Sequence, residues 1–242
     1  MTAVILAAGR SRRMNTSVSK VLLPLAGQPV LTHIINAARA GGAERIIVVI
    51  GPGHEAIREQ YCDQTLEFAV QQQPRGTADA LLVCRDLLAK DEDCTVLCGD
   101  APLVRGGTIQ SLCRARRDQA ATVAVLTAVL PDPYGYGRIV RGPGSIIHAI
   151  VEERDADEQT RRVKEINSGA YSFVWGEVRP ALDAVEPSPV SGEYYLTDAI
   201  RAIRSAGRLV IAVVAEDADE VMGINTPEHF AMVEAVLLAR SG

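Results

Sequence analysis

Short apolar runs alternate strictly with helical patterns through the first half of the chain, and this alternation limits the possible folds more than any other feature. Strands are expected in four runs: "AVILAAG" (3–9), "RIIVVIG" (45–51), "FAVQQ" (68–72) and "CTVLCGD" (94–100). Continuous apolar runs of this length are typical of strands that are buried on both faces. The alternation predicts an α/β fold that is Rossmann-like and doubly wound, with a mostly parallel sheet and helices on both faces.

Three helices are expected between these strands: one that ends at Gly41-Gly42, one over 54–61 and one over 78–89. Two of them have a clear apolar side, formed by Leu31, Ile34, Ile35 and Ala38 in the first and by Leu81, Cys84 and Leu88 in the third.

The pattern changes after about residue 120. Residues 121–130 predict a long strand, and 137–153 predict a hairpin that turns at Gly142-Pro143-Gly144. A further strand is expected over 166–175 and another over 208–215. The remaining predicted elements are a helix near 194–206 and a final helix from about 227. We therefore expect antiparallel pieces inserted into the doubly wound core.

Composition excludes several classes of protein. The chain has 242 residues, is 48% hydrophobic and carries a net charge of -5, so nucleic acid or an anionic membrane surface is not expected as its main partner. It contains no apolar run of the roughly 20 residues that a membrane helix needs, and its first residues do not resemble a signal peptide. Five cysteines without a CxxC pair favour free thiols in a reducing compartment. We expect a cytoplasmic protein.

Positive charge is concentrated at the beginning of this acidic chain. Residues 1–43 contain no Asp or Glu, although they include Arg10, Arg12, Arg13, Lys20 and Arg39. A solvated run of charges is the simplest explanation, but a segment without carboxylates is also typical of an anion-binding site.

Three loops are predicted at the carboxyl edge of the sheet, where open α/β sheets bind ligands: 7–14, 71–77 and 99–102. The first begins with small residues and matches neither the GxGxxG nor the GxxxxGK[ST] pattern. In the second, Thr77 is predicted to cap the following helix. In the third, Asp100 is either a turn former or a ligand for Mg²⁺, which prefers one or two carboxylates together with substrate phosphates.

Several motifs occur in the order that is seen in sugar-1-phosphate nucleotidylyltransferases. They are "LAAGRSRRM", Lys20, "GTA", "GD", "YGYGRI", "VEE", "EINSG", "GEYYLTD" and "GIN". The opening motif is shared by many nucleotidyltransferases, whereas "GYGRI", "EINSG" and "GEYYLTD" together are more specific. The chain most resembles the uridylyltransferase domains that make UDP-N-acetylglucosamine from UTP and N-acetylglucosamine 1-phosphate.

The resemblance implies a role for each matching residue. The nucleotide-binding residues would be Leu6, Ala7, Ala8, Gly9, Gln71, Gly76 and Thr77. Arg13 and Lys20 would hold the triphosphate, while Asp100 and Asn225 would bind Mg²⁺ as the cofactor. The sugar-phosphate pocket would contain Gly137, Glu152, Asn167, Tyr195 and Thr197. Gly137 as a turn glycine, Tyr195 as core and Glu152 as a solvated strand end are the ordinary structural alternatives.

The resemblance also implies one domain over residues 1–242. Its nucleotide-binding half would span 1–120, its sugar-phosphate-binding half 121–225 and its C-terminal helix 226–242. Bifunctional bacterial members continue into a β-helix acetyltransferase half that this sequence does not contain, so the chain is either a free-standing relative or a fragment. Without that half, a monomer or weak oligomer is expected.

The sequence departs from the family's usual motifs. Ser11 and Arg12 replace a glycine and a threonine, and Ser19 replaces the proline before the lysine. Cys98 stands where an aromatic residue is common, and Ser168 where threonine is common. Two alternatives stay open: transfer from another nucleoside triphosphate, such as dTTP or CTP, or to another phosphorylated acceptor, and a catalytically silent subunit that binds nucleotide sugars.

The implied chemistry needs no general base. The second pKa of a sugar 1-phosphate is about 6, so this nucleophile is already a dianion at neutral pH. The reaction instead needs two polyanions held in line, with their repulsion cancelled and the charge on the leaving pyrophosphate stabilised. The cations near the first strand would meet that need.

Overall fold

A computed structural model of the chain describes residues 1–9, 14, 19–62, 65–144 and 146–241. The strands are β1 (Thr2–Leu6), β2 (Pro24–Leu25), β3 (Gln28–Pro29), β4 (Arg45–Ile50), β5 (Glu67–Val70), β6 (Asp93–Cys98), β7 (Val123–Val129), β8 (Arg138–Arg141), β9 (Ile147–Val151), β10 (Glu165–Val174) and β11 (Val210–Val214). The α-helices are α1 (Val30–Ala40), α2 (Glu55–Gln60), α3 (Thr77–Leu82), α4 (Gly106–Asp118), α5 (Glu158–Arg161), α6 (Trp175–Asp183), α7 (Leu196–Ser205) and α8 (Pro227–Ser241). Short 3₁₀ helices span Lys20–Leu22 and Ala218–Val221.

Within the described residues, nine strands form one sheet whose main order is β11-β7-β10-β6-β1-β4-β5. The pairs β11–β7, β6–β1, β1–β4 and β4–β5 are parallel, and β10 is antiparallel to both β7 and β6. Because β1, β4, β5 and β6 run in the same direction, their carboxyl ends meet at one edge. The predicted mostly parallel α/β sheet is confirmed.

Apolar side chains cover both faces of the sheet. Along β1, Ala3 and Ile5 pack on one face with residues of α1 and α4, whereas Val4 packs on the other with residues of α3, α6 and α7. Successive side chains of a strand point to opposite faces, so a strand buried on both faces must be apolar throughout. This requirement explains the continuous apolar runs in the sequence.

The second half supplies the predicted antiparallel insertion. Strands β8 and β9 form a hairpin, and 142–144 lie in the segment that joins them. β8 pairs with β10 through Arg138 and Ile166. Since β10 is antiparallel to β6, the beginning of β10 lies at the same edge as the carboxyl ends of β6 and β1. The insertion therefore delivers residues to the edge where ligands were expected.

Three predictions about local structure need correction. The strands end earlier than predicted at most boundaries; β6, for example, ends at Cys98. The predicted helix over 78–89 is only the six residues of α3, because the chain then tightens into turns in which Cys84 N donates to Leu81 O (3.1 Å) and Leu87 N to Cys84 O (2.9 Å). Its apolar side is nevertheless correct, since Leu81, Cys84 and Leu88 are all buried.

The third correction concerns Thr77, which does not cap α3. Gly76 occupies the N-cap position, and Thr77 is the first residue inside the helix. The Thr77 hydroxyl instead accepts a hydrogen bond from Leu196 N at 3.0 Å.

A search of the described residues for a helix long and apolar enough to cross a membrane found none.

Candidate active site

A cleft of about 420 Å³ opens at the carboxyl ends of β1, β5 and β6. Nine of the residues predicted for the active site line this cleft: Leu6, Ala7, Ala8, Gly9, Lys20, Gln71, Gly76, Thr77 and Asp100. The structure thus brings the predicted nucleotide-binding residues, one predicted metal ligand and Lys20 to a single place. Arg13, the remaining residue predicted for the triphosphate, lies outside the described residues, as do Arg10, Ser11 and Arg12.

The floor of the cleft is backbone that continues the sheet beyond its strands. Ala7 N donates to Val49 O at 2.8 Å, and Gly99 N donates to Leu6 O at 2.9 Å. A Cβ at Gly99 would lie 2.7 Å from Leu6 O, so the glycine allows the segments after β1 and β6 to approach. The small residues after β1 line the cleft together with Gly99 and Asp100 after β6.

Gln71 is held in one orientation at the side of the cleft. Its side chain is buried, and its amide nitrogen donates to Gly76 O at 3.1 Å and to Asp79 Oδ2 at 2.8 Å. These two bonds use both hydrogens of the amide nitrogen. The side-chain carbonyl oxygen is therefore fixed as an acceptor.

Lys20 joins the predicted metal ligands. Its Nζ donates to Asp100 Oδ2 at 2.5 Å, to Ile224 O at 2.9 Å and to Asn225 Oδ1 at 3.2 Å. Ile224 N also donates to Asp100 O at 2.8 Å, which ties the segment before α8 to the loop after β6. Oxygens of Asp100 and Asn225 thus converge on one positive charge.

This oxygen pair fits a hard divalent cation that completes its coordination with water and substrate phosphates. Among the described residues, no group of three or more His, Cys, Asp or Glu side chains could hold a metal ion by itself. A Mg²⁺ ion at Asp100 and Asn225 would therefore depend on oxygens from a bound substrate.

Four of the five residues predicted for the sugar phosphate meet beside the hairpin. Asn167 N donates to Gly137 O at 2.8 Å, and Thr197 Oγ1 donates to Glu152 Oε1 at 2.9 Å. A Cβ placed on Gly137 would lie 3.4 Å from Glu152 Oε2 and 3.6 Å from Asn167 Cβ. We call Gly137, Glu152, Asn167 and Thr197 the acceptor group.

Tyr195, the fifth, lies next to the acceptor group. Its hydroxyl donates to Ser191 Oγ at 2.8 Å. Burial raises the pKa of Tyr195, and the negative charges of Glu193 and Glu152 add to the increase. Its role in the sugar-phosphate pocket stays a prediction.

Glu152 is a partly buried carboxyl that accepts a hydrogen bond from Thr197. Burial raises its pKa, the hydrogen bond from Thr197 opposes the shift, and the charges of Asp155, Asp198 and Glu193 add to it. Glu152 follows the end of β9, where it is partly buried and hydrogen-bonded instead of fully solvated.

Cys98 lies between the cleft and the acceptor group. Burial is the main cause that raises the pKa of its thiol to about 12; the charges of Asp100 and Glu152 contribute to the increase and that of Lys20 opposes it. Cys98 lines the cleft together with Lys20 and Asp100. Its Sγ contacts the backbone of β10 at Ser168 O (3.7 Å) and Gly169 O (3.6 Å).

The loops that lead into α3 and α7 are clamped together. Tyr194 N donates to Arg75 O at 2.7 Å, Ala78 N donates to Tyr194 O at 3.0 Å, and Thr77 Oγ1 accepts from Leu196 N. Gly76 has φ +125°, and a Cβ there would lie under 3.0 Å from the backbone of Tyr194. We call 75–78 with 194–196 the loop clamp; it connects the cleft to the helix that carries Thr197.

Sequence reasoning missed two residues of this region. Glu193 lines the cleft, and the only signal for it was its place in "GEYYLTD". Tyr171 is buried, and its hydroxyl accepts a hydrogen bond from Asn167 Nδ2 at 2.7 Å. No sequence signal indicates this contact, because residues four apart in a regular strand do not meet; the register of β10 shifts between them.

Known proteins resemble this chain in sequence and in fold. The MobA-like NTP transferase domain matches residues 3–163. The bifunctional protein GlmU of Heliobacterium modesticaldum is 43% identical over 240 residues, which cover 99% of this chain and 52% of that protein. The bifunctional protein GlmU of Syntrophotalea carbinolica is 42% identical over 241 residues, with 99% and 52% covered. The chain spans about half the length of the curated relatives it matches.

A solved structure shares the fold. UDP-glucose pyrophosphorylase complexed with UDP-glucose superposes with a TM-score of 0.79 at 15% sequence identity, covering 99% of this chain and 98% of that one. The structural match and the matched domain together show that the parallel sheet and its antiparallel insertion form a nucleotidyltransferase fold. The chain belongs to the MobA-like NTP transferase family.

Proposed function

We propose that the chain transfers UMP from UTP to N-acetylglucosamine 1-phosphate in a Mg²⁺-dependent reaction, giving UDP-N-acetylglucosamine and pyrophosphate. A phosphate oxygen of the acceptor attacks the α-phosphorus of UTP directly. The new P–O bond forms as the bond to the β-phosphate breaks, and pyrophosphate leaves with the electron pair. The observation that carries the proposal is that Cys98 lines the cleft with Lys20 and Asp100, while its Sγ contacts Ser168 O and Gly169 O, directly after Asn167 of the acceptor group.

The cleft suits a pyrimidine nucleotide with its base near Gln71. The fixed carbonyl oxygen of Gln71 is placed to accept a hydrogen bond from a base N–H, such as N3–H of uracil. The backbone of Ala7, Ala8 and Gly9 allows close approach of ribose and phosphates. Uracil would present N3–H to this acceptor, whereas cytosine would present its exocyclic N4–H, so a comparison of UTP with CTP tests the assignment.

The charges at the other end of the cleft suit the triphosphate. Lys20 would hold phosphate oxygens as a point charge. Asp100 and Asn225 would hold Mg²⁺, which when bound neutralises charge on the triphosphate and on the departing pyrophosphate. One well-placed charge is worth several kcal/mol to such a transition state.

The acceptor group suits the sugar rather than its phosphate. It offers a partly buried carboxyl, an amide and a hydroxyl, all of which form hydrogen bonds with hydroxyl or acetamido groups. The acceptor phosphate would extend toward the cations of the cleft. Because that phosphate is already ionised at neutral pH, binding and alignment replace a general base.

The relatives support a sugar nucleotide as product. The matched structure of UDP-glucose pyrophosphorylase contains UDP-glucose, and GlmU proteins are 42–43% identical to this chain over almost its full length.

All five cysteines are free, and three are buried. Free thiols support a reducing, cytoplasmic setting.

Pyrophosphate release measured over a grid of substrates tests the proposal. The grid combines UTP, CTP, dTTP and ATP with several sugar 1-phosphates, each with and without Mg²⁺. We expect turnover with UTP and N-acetylglucosamine 1-phosphate that is lost on metal removal. A different preferred pair would replace the substrate assignment, and no turnover with any pair would favour a silent binding subunit.

A further inference from the structure

The side chain of Asn167 is fixed at both of its polar atoms. Its Oδ1 accepts from Gly169 N at 3.1 Å, and its Nδ2 donates to the hydroxyl of Tyr171 at 2.7 Å. Gly169 N can only donate, so a flipped amide would place two donors against each other. The orientation of the amide is therefore specified by the strand that carries it.

An irregularity in β10 makes this arrangement possible. The register against β7 shifts between Asn167 and Tyr171, so the three intervening residues bulge from the ladder. Ser168 Oγ stabilises the bulge by donating to Leu126 O at 2.7 Å and accepting from Ala170 N at 3.1 Å. A bulge redirects the side chains next to it, here those of Asn167 and Tyr171.

Tyr171 itself is anchored rigidly. Its residue pairs with Val125 of β7 on one side and with Val96 of β6 on the other. Only 3% of it is exposed. Burial raises the pKa of its hydroxyl, and the charge of Glu152 adds to the increase, so the group stays neutral at physiological pH. A neutral hydroxyl on a central strand is a fixed acceptor.

We propose that Tyr171 is a positioning residue for the sugar phosphate. Its hydroxyl oxygen accepts one amide hydrogen of Asn167. The second amide hydrogen is then left to bind the sugar phosphate beside Gly137 and Glu152. Tyr171 does not contact the substrate; it acts through Asn167. The proposal rests on the proposed function, because the acceptor group must be the sugar-phosphate pocket.

The experiment compares Tyr171→Phe with Tyr61→Phe. Tyr61 is equally buried, with 2% exposed, and its hydroxyl shares a 2.6 Å hydrogen bond with Thr32 in the opposite apolar layer. Each change removes one buried phenol hydrogen bond, so we expect similar losses of thermal stability. Only the change at Tyr171 is expected to affect the KM for N-acetylglucosamine 1-phosphate.

We expect Tyr171→Phe to raise KM for N-acetylglucosamine 1-phosphate about fivefold, which corresponds to about 1 kcal/mol, with kcat and KM for UTP within about twofold of wild type. Tyr61→Phe is expected to leave all three parameters unchanged. An acceptor KM that does not differ between the two variants would overturn the proposal.

A double-mutant cycle shows whether Tyr171 acts through Asn167. In an Asn167→Ala background, Tyr171→Phe should add no further change in the acceptor KM. A second fivefold rise there would overturn the proposed route. An inactive wild type would remove the proposed function and this inference together, whereas an active wild type with an unchanged Tyr171→Phe variant would remove the inference alone.

Discussion

Asp100 links Lys20 in the cleft to the segment that precedes α8. Its carboxylate binds Lys20 at 2.5 Å, and its backbone oxygen accepts from Ile224 N at 2.8 Å. The side chains of Lys20 and Asp100 are 12% and 25% exposed. The pair is therefore partly shielded from water, and its electrostatic interaction is stronger than that of an exposed pair.

Asp100→Asn is expected to lower kcat by about 100-fold or more, because an amide is a weak ligand for Mg²⁺ and the loss of one stabilising charge costs that much in comparable sites. The fold should persist, since the change leaves the backbone bond to Ile224 in place and the new amide still offers an oxygen to Lys20. Metal titration of turnover and a thermal melt check both points. Near-normal activity would remove Asp100 from the metal site.

Lys20→Ala is expected to lose most activity, because a point charge on the triphosphate stabilises the leaving pyrophosphate. The loss should appear in kcat and in KM for UTP. Lys164→Ala is the matched control, since Lys164 also donates to a backbone carbonyl, that of Pro131, but lies away from the cleft. A loss confined to the KM for the sugar phosphate would contradict the role on the triphosphate.

Glu152 should make stability depend on pH. Burial raises its folded-state pKa above the ordinary 4.5, so the stability linked to its protonated form is fully present below the unfolded pKa and is lost as pH rises through the folded pKa. The free energy of unfolding of wild type should therefore fall relative to Glu152→Gln over that pH range. Denaturant unfolding at a series of pH values measures this difference. A difference that stays constant with pH would show that Glu152 titrates normally.

Most of the candidate site residues could be predicted because each lies in a short, local motif. "LAAG", "GTA" and "GD" each follow a strand, and parallel strands bring their ends together. Tyr171 could not be predicted in the same way. Its contact with Asn167 depends on a bulge, and whether a strand bulges is decided by partners that are distant in sequence.

At the scale of elements, the loop clamp connects the two sides of the site. Gly76 is central to it because the clamp needs both a positive φ and the absence of a side chain. The Thr77 hydroxyl adds a bond to Leu196 N at the start of α7. The helix that presents Thr197 to Glu152 is thereby tied to the loop that holds Gln71.

Gly76→Ala is expected to reduce the free energy of unfolding by about 1–3 kcal/mol, since the new Cβ would meet the backbone of Tyr194 at a φ that alanine avoids. Affinity for UTP should fall as well. Gly107→Ala is the control: this glycine lies in α4 with open space around its Cβ position, so the change should be neutral or slightly stabilising. Equal effects of the two changes on stability would contradict the clamp.

Three helices were not predicted from the sequence: α4, the four-residue α5 and α6. For α4 and α6 the physical reason is clear. α4 begins with two glycines and is largely polar, so its apolar side is reduced to Ile109, Leu112 and Cys113. α6 follows β10 directly and contains Pro180, which is typical of a helix break. In both, packing against the sheet outweighs weak local preference.

At the scale of the molecule, one sheet carries both sides of the site. β1, β5 and β6 deliver the nucleotide-side residues, and β10 enters between β6 and β7 in the opposite direction. Its first residues therefore lie where its neighbours end, which brings Asn167 to the edge beside Cys98. The sequence predicted an antiparallel insertion, but not which strands β10 would join, because strand order depends on long-range pairing.

The concentration of positive charge before residue 44 has a partial explanation at this scale. Lys20 reaches the cleft and meets Asp100 and Asn225. The role expected of Arg13 stays a prediction, since that residue lies outside the described ranges.

The most direct measurement of the central claim is a crystal structure with UDP-N-acetylglucosamine and Mg²⁺ bound. We predict uracil beside Gln71, the diphosphate and metal among Lys20, Asp100 and Asn225, and the sugar against Gly137, Glu152, Asn167 and Thr197. A nucleotide sugar bound away from this cleft, or one whose sugar does not touch the acceptor group, would contradict the claim that both substrates meet at the carboxyl edge of this sheet.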